Sequence, residues 1–152
     1  MKKLILIACI LSLQVTFSQS RKSKEKAFKQ VLSLIKKAEN FNGENNIKII
    51  THDFDNLTIS IKTNVPFSGG AKRLVKLNLK ELKGLNKNTS KTLGVEKLFV
   101  SVVMEFKNEF KIETTKSKNI SYNYADSAFV TFEKYSKNID NFTKALKTLM
   151  RK

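Results

Sequence analysis

Apolar residues recur with two different periods along this 152-residue chain, and the change of period divides it into elements. From Ser23 to Phe41 they are spaced by three, four and seven, which is typical of one buried helix face. Asn42-Gly43 then resembles a helix stop, because glycine tolerates a left-handed backbone. From Asn138 onward the same helical spacing returns at Ile139, Phe142, Leu146 and Leu149. The pattern predicts a helix at each end of the region 23–152.

Between the two helices a period of two predominates, which indicates strands with one apolar face. The segments "IKIITHDF" (47–54) and "LTISIKT" (57–63) predict a hairpin across an Asp55-Asn56 turn. "LVKLNLKEL" (74–82) and "VEKLFVSVVMEF" (95–106) predict two further strands, with "KGLNKNTSKTLG" (83–94) as a basic loop between them. After a turn at "KNE" (107–109), three more strands are predicted at "FKIETT", "ISYNY" and "SAFVTFEKY".

The order of helix, about seven strands and helix predicts an α+β fold. Strands that follow one another without an intervening helix exclude a doubly wound parallel sheet. We therefore expect an N-terminal amphipathic helix, an antiparallel curved sheet or small barrel, and a closing C-terminal helix. No composition shift or linker divides the region, so a single domain is predicted for residues 19–152.

The first eighteen residues have the pattern of a secretory signal peptide: Lys2 and Lys3, then an apolar run, then small residues at Thr16 and Ser18. "LIAC" also resembles a lipoprotein cleavage box that ends in Cys9, the single cysteine. Cleavage before Cys9 would leave too short an apolar run for an export signal, so lipidation is disfavoured. We expect cleavage after Ser18, with cleavage after Ser20 as the alternative, and a periplasmic or secreted protein without disulfides.

The sequence is strongly basic, with 29 Lys and Arg against 13 Asp and Glu. Without Lys2 and Lys3 the basic count becomes 27, which leaves a net charge of +14. Such a charge favours anionic partners. Nucleic acid is disfavoured because the chain has three arginines and no tryptophan. A lysine-coated surface without a specific role, anionic lipid and acidic polysaccharide remain as alternatives.

The sequence offers few residues for catalysis or metal binding. His52, the single histidine, stands beside Asp53 and near Asp55 in "HDFD", but neighbours on a strand point to opposite faces. Phosphate-binding and nucleophile motifs are absent from the sequence. We therefore predict no catalytic, cofactor or metal site, and a non-enzymatic binding or structural domain with an unknown envelope partner.

Anion contacts are predicted in two segments. "FSGGAKR" brings Lys72 and Arg73 next to Gly69-Gly70, which form either a small nest of backbone N–H groups or an ordinary turn. The predicted loop 83–94 carries three more lysines. The candidate contacts are Lys72, Arg73, Lys83, Lys87 and Lys91.

The segment "DSAFVTFEKYSKNIDNFTKALKTLM" (126–150) resembles the closing strand and helix of small exported bacterial proteins of unknown function. Seven strands followed by a helix are also similar to the pleckstrin-homology-like barrel. In its lipid-binding members, basic residues lie on the first strand–turn–strand unit. Here "THDFDNL" has Asp53 and Asp55 and no lysine, and this departure argues against phosphoinositide binding.

Overall fold

The computed structural model describes residues 20–65, 68–91 and 98–151, and for Ser90 and Lys91 the backbone only. The predicted signal peptide and Cys9 lie outside the described residues. The chain forms α1 (20–36), then seven strands with one short 3-10 turn (Leu79–Glu81), then α2 (Asn138–Met150). The strands are β1 (Asn40–Phe41), β2 (Asn45–Asp53), β3 (Thr58–Asn64), β4 (Lys72–Asn78), β5 (Leu82–Lys91), β6 (Leu98–Lys116) and β7 (Asn119–Glu133).

The strands form one antiparallel sheet in the order β1-β7-β6-β4-β3-β2, curled into a half-barrel. β6 is the centre of the sheet because it has two partners on one edge: its first half pairs with β5 and its last residues pair with β4. Its other edge pairs with β7 along most of its length. The predicted α+β class, the terminal helices and the curved antiparallel sheet are therefore confirmed.

A single hydrophobic core fills the inner side of the sheet and includes both helices. The predicted inward residues of α2 are buried, and the centroid of the Phe142 ring lies 5.5 Å from the centroid of the Phe132 ring on β7. α1 packs near the β2–β3 hairpin, where Phe28 contacts the rings of His52 and Phe54. We call the opposite, solvent-facing side of the sheet the outer face.

Several predicted boundaries are wrong. The first helix ends at residue 36, and Phe41 is buried on β1, which pairs with β7. Asn42 and Gly43 do adopt positive φ values of 50° and 77°, but they turn the chain between two strands and do not cap the helix. The predicted strand 74–82 stops at Asn78, where the Asn78 side chain accepts a hydrogen bond from the Lys80 N–H of the 3-10 turn.

The predicted loop is wrong over residues 83–91, the rest of it (92–94) lies outside the described residues, and the predicted turn 107–109 is also wrong. Residues 82–91 form β5, an edge strand whose many polar residues hid its alternation. "KNE" lies within β6, where the register with β7 jumps from Glu105–Ser127 to Phe110–Ala125. It is thus part of a multi-residue bulge, with the side chains of residues 107–109 exposed on a strand that continues. The predicted strands "ISYNY" and "SAFVTFEKY" are one continuous strand, β7.

Candidate anion-binding site

The outer face carries one row of side chains that crosses five strands. Backbone pairing places Lys48 opposite Lys62, Lys62 opposite Leu74, Leu74 opposite Glu113, and Glu113 opposite Tyr122. Paired residues project to the same side of a sheet. Residues far apart in sequence therefore share one surface, with lysines at one end and tyrosines at the other.

A groove of about 520 Å³ lies at the lysine end of this row. We call it the lysine groove; it is lined by Asn46, Lys48, Ile50, Lys62, Asn64 and Lys72. A second depression of about 340 Å³ shares three of these residues and adds Leu74, Glu113 and Thr115. Together they form a shallow channel from the β2 edge towards β6.

A β-bulge in β2 shapes the floor of the lysine groove. The register between β2 and β3 shifts between Ile49 and Thr51, so Ile50 has no partner on β3. Ile49 stays half-buried against the core, whereas Ile50 is 52% exposed and lines the groove. A bulge redirects one side chain without ending the strand, and here it places an apolar surface between the lysines.

The charges in the lysine groove are concentrated and unbalanced. Lys48 and Lys62 stand directly opposite each other, an arrangement of like charges that destabilises a sheet. Lys72 is near both because it pairs with Asn64, two residues beyond Lys62. No salt bridge among the described residues involves these three lysines. Within the described residues, no carboxylate neutralises their ammonium groups.

Of the predicted anion contacts, Lys72 lies in the lysine groove and Arg73 does not. Arg73 points to the other side of β4, where its guanidinium forms an ion pair with the buried carboxylate of Glu44. Its Nε also donates a hydrogen bond to Thr114 Oγ1 at 3.3 Å, and Thr63 Oγ1 donates to Glu44. This cluster joins the β1–β2 turn to β3 and β4, so Arg73 has a structural role. Gly69 and Gly70 both have positive φ and belong to the connection from β3 to β4.

The lysines of β5 are remote from the lysine groove. Lys87 pairs with Val102, whereas Lys72 pairs with Thr115, thirteen residues further along β6. On β7 the partners of these two β6 residues, Val130 and Ile120, are ten residues apart, which at about 3.3 Å per strand residue is on the order of 30 Å. Lys87 Nζ also lies 2.8 Å from the Asp140 carboxylate of α2. Lys83 is exposed on β5, and the Lys91 side chain lies outside the described residues.

The "HDFD" residues do not converge on a reactive centre. His52 contacts the ring of Phe28, and Asp55 forms an exposed ion pair with Arg21 of α1 at 3.0 Å. The Asp53 carboxylate accepts hydrogen bonds from the side-chain amide and the backbone N–H of Asn56, and these bonds lower the pKa of Asp53. The Asp53 carboxylate therefore stabilises the β2–β3 turn.

The tyrosine end of the row is an aromatic surface on β7. Tyr122 and Tyr124 are 49% and 63% exposed, and Ile120 beside them is also exposed. The Lys111 ammonium lies 3.5 Å from the centroid of the Tyr122 ring, a cation–π contact across the β6–β7 pair. Sequence reasoning assigned these tyrosines to strands but did not connect them with lysines, because only the register of five strands brings them together.

No protein-family model, no curated protein and no solved structure matches this chain. Within 20–65, 68–91 and 98–151, no cluster of three His, Cys, Asp or Glu side chains could hold a metal ion. In the same ranges no helix is long and apolar enough to span a membrane.

Proposed function

We propose that this protein is an exported, non-enzymatic binding domain whose lysine groove holds an anionic partner. The observation that supports this most directly is the Lys48–Lys62 pair, flanked by Lys72 and with no carboxylate in ion-pair contact among the described residues. Facing lysines cost stability in the free protein, and an anion bound between them would remove that repulsion.

The chemistry of the lysine groove suits an extended anion better than a single phosphate. Lysine is a flexible point charge, whereas planar bidentate recognition of phosphate depends on arginine. The one arginine nearby, Arg73, is already paired with Glu44. The side-chain amides of Asn46 and Asn64 add hydrogen-bonding groups at the rim. Such a groove attracts a charged chain without fixing one headgroup.

The pleckstrin-homology-like strand order also belongs to this proposal, but with a different binding surface. Lipid-binding members of that superfold use basic residues around the first strand–turn–strand unit. In this chain Lys48 and Lys62 lie on the corresponding hairpin, at the end away from its turn, while the turn carries Asp53 and Asp55. A phosphoinositide headgroup at the turn is therefore not part of the proposal.

The proposal is tested with heparin as a model polyanion, measured by titration calorimetry at several salt concentrations. We expect binding that weakens steeply with salt, since bound counterions are released. Lys62→Gln should weaken binding about two- to fivefold, as expected for a partly screened ion pair, and should make the salt dependence shallower.

Lys83→Gln is the matched control, because Lys83 is an exposed lysine of β5, which pairs with the first half of β6 and not with the end of β6 that borders β4 and the lysine groove. It removes the same charge and should leave heparin affinity nearly unchanged. Equal losses for Lys62→Gln and Lys83→Gln would show that the whole basic surface binds and that the lysine groove has no special role.

A further inference from the structure

We infer that the occupant of the lysine groove is a linear acidic polysaccharide that continues across the outer face to the tyrosines of β7. This inference rests on the proposed function and specifies its ligand. The row from Lys48 to Tyr122 involves five adjacent strands, and four steps of about 4.8 Å give a surface of roughly 19 Å. A monomeric anion would use only one end of such a surface.

The outer face offers three kinds of group, in order from the β2 edge to β7. Ammonium groups in the lysine groove suit carboxylates, and Lys76 and Lys111 extend the positive charge towards β7. Ile50 and Leu74 supply apolar contact between the charges. Tyr122 and Tyr124 then present flat, amphipathic rings at the far end. A uronic acid chain offers groups that match these: a carboxylate for the ammonium groups, and an apolar ring face and hydroxyl groups for the apolar and tyrosine side chains.

Glu113 favours a polysaccharide over a phosphodiester. Its half-buried carboxylate stands in the middle of the row and lines the second depression together with Lys62, Lys72 and Thr115. A carboxylate only accepts hydrogen bonds at neutral pH. The Glu113 carboxylate would accept hydrogen bonds from sugar hydroxyl groups. It would repel a nucleic acid backbone, because successive phosphates carry negative charge and no hydrogen-bond donor.

The shape of the outer face disfavours insertion into a lipid bilayer. The exposed apolar residues lie along the body of β7, while the tip of the β6–β7 hairpin is Lys116-Ser117-Lys118. A membrane-inserting element places its apolar residues on the side that enters the acyl region. Here the end of the hairpin beyond the tyrosines is charged and does not suit the acyl region. The tyrosines are therefore better placed to contact a polymer that lies along the outer face.

The test compares a digalacturonate with a galacturonate decamer, both titrated into the wild-type protein and three variants. The double variant Tyr122→Ala/Tyr124→Ala should weaken decamer binding roughly five- to tenfold, on the scale of two aromatic contacts, and leave the weak digalacturonate binding unchanged. Tyr135→Ala is the matched control, because Tyr135 is 85% exposed but follows β7 and lies off the row. Lys62→Gln should weaken the binding of both ligands.

Three further ligands make the inference falsifiable: a methyl-esterified decamer, single-stranded DNA, and vesicles of phosphatidylglycerol and phosphatidylcholine. We expect each to bind more weakly than the decamer, and we expect DNA and vesicle binding not to depend on the two tyrosines. DNA or vesicle binding that equals decamer binding and needs the tyrosines would overturn the polysaccharide assignment. Loss of binding with Lys62→Gln but not with the tyrosine variant would also overturn it and leave the proposed function intact. If Lys62→Gln has no effect on any ligand, the proposed function itself fails.

Discussion

At the scale of single residues, the buried carboxylate of Glu44 is the most constrained charge described. Glu44 is 3% exposed, and its carboxylate forms an ion pair with the Arg73 guanidinium and accepts a hydrogen bond from the Thr63 hydroxyl. Removal of one member of a buried ion pair leaves the other charge without compensation. We expect Glu44→Ala to lower the free energy of unfolding by about 3 kcal/mol, at the low end for such pairs because Arg73 keeps some solvent contact.

Urea denaturation measures this change, and Glu25→Ala is its control. Glu25 also pairs with a cation, Lys29, but on the exposed surface of α1. Exposed pairs of this kind contribute little, so Glu25→Ala should leave the denaturation midpoint unchanged. If the two variants behave alike, the Glu44 cluster does not hold the β1–β2 turn to the sheet.

The β2–β3 turn should lose stability in acid through Asp53. Hydrogen bonds from Asn56 lower the pKa of Asp53 in the folded protein. A lowered pKa means that Asp53 stabilises the fold above its unfolded pKa, near 4, and that this contribution is lost as the pH falls through the folded pKa. An NMR titration of the Asp53 carboxyl checks this. Asn56→Ala should raise the pKa towards its ordinary value; an unchanged pKa would show that the amide is not its cause.

At the scale of elements, β6 should be the least tolerant part of the sheet. Val102 lies on its core face with no exposed surface, at a position that pairs with both β5 and β7. Val102→Asp buries a carboxylate without a partner, which costs several kcal/mol, and we expect it to abolish folding. Val103→Asp is the control one residue away, on the outer face, where a half-buried side chain can reach solvent. Circular dichroism melting should show a cooperative transition for Val103→Asp only.

The elements that depend on local pattern could be predicted from the sequence, whereas those that depend on distant partners could not. The strict alternation of Leu57, Ile59 and Ile61 gave the correct facing of β3, and the helical spacing of Ile139 and Phe142 gave α2. The polar bulge in β6 resembled a turn, because nothing in "KNE" reveals that β7 remains beside it. β5 resembled a loop, because its edge position allows polar residues at most sites.

The lysine groove was only partly predictable for the same reason. Lys62 could be assigned to a solvent-facing side from its own strand, and Lys72 from its glycine-rich neighbourhood. The position of Lys48 opposite Lys62 could be predicted only from the register between β2 and β3, which two irregularities shift. The link from Leu74 to Glu113 and Tyr122 required pairing between strands nearly forty residues apart, for which the sequence has no signal.

At the scale of the whole molecule, the proposed export predicts a defined N-terminus. Intact-mass measurement of the exported protein should give a chain that begins at Gln19, and Cys9→Ser should leave processing unchanged because serine also fits an apolar export segment. A species that begins at Cys9 and carries diacylglycerol would contradict this. One lipid chain and a basic surface together give stable membrane attachment, so that result would also move the proposed partner from polysaccharide to anionic lipid.

The pairing of β1 with β7 determines when the sheet can finish folding. Asn40 pairs with Thr131, and the Asn42 N–H donates to the Phe129 carbonyl while the Phe129 N–H donates to the Asn42 side-chain Oδ1, although about ninety residues separate each pair. Contacts at such sequence distance form late, because loop-closure entropy must be overcome first. In a chain made from its N-terminus, β1 lacks its sheet partner β7 until the last quarter has been made, although Phe41 can already bridge to Glu44. A chain that completes its sheet late remains unfolded for longer, and this delay would suit the proposed export.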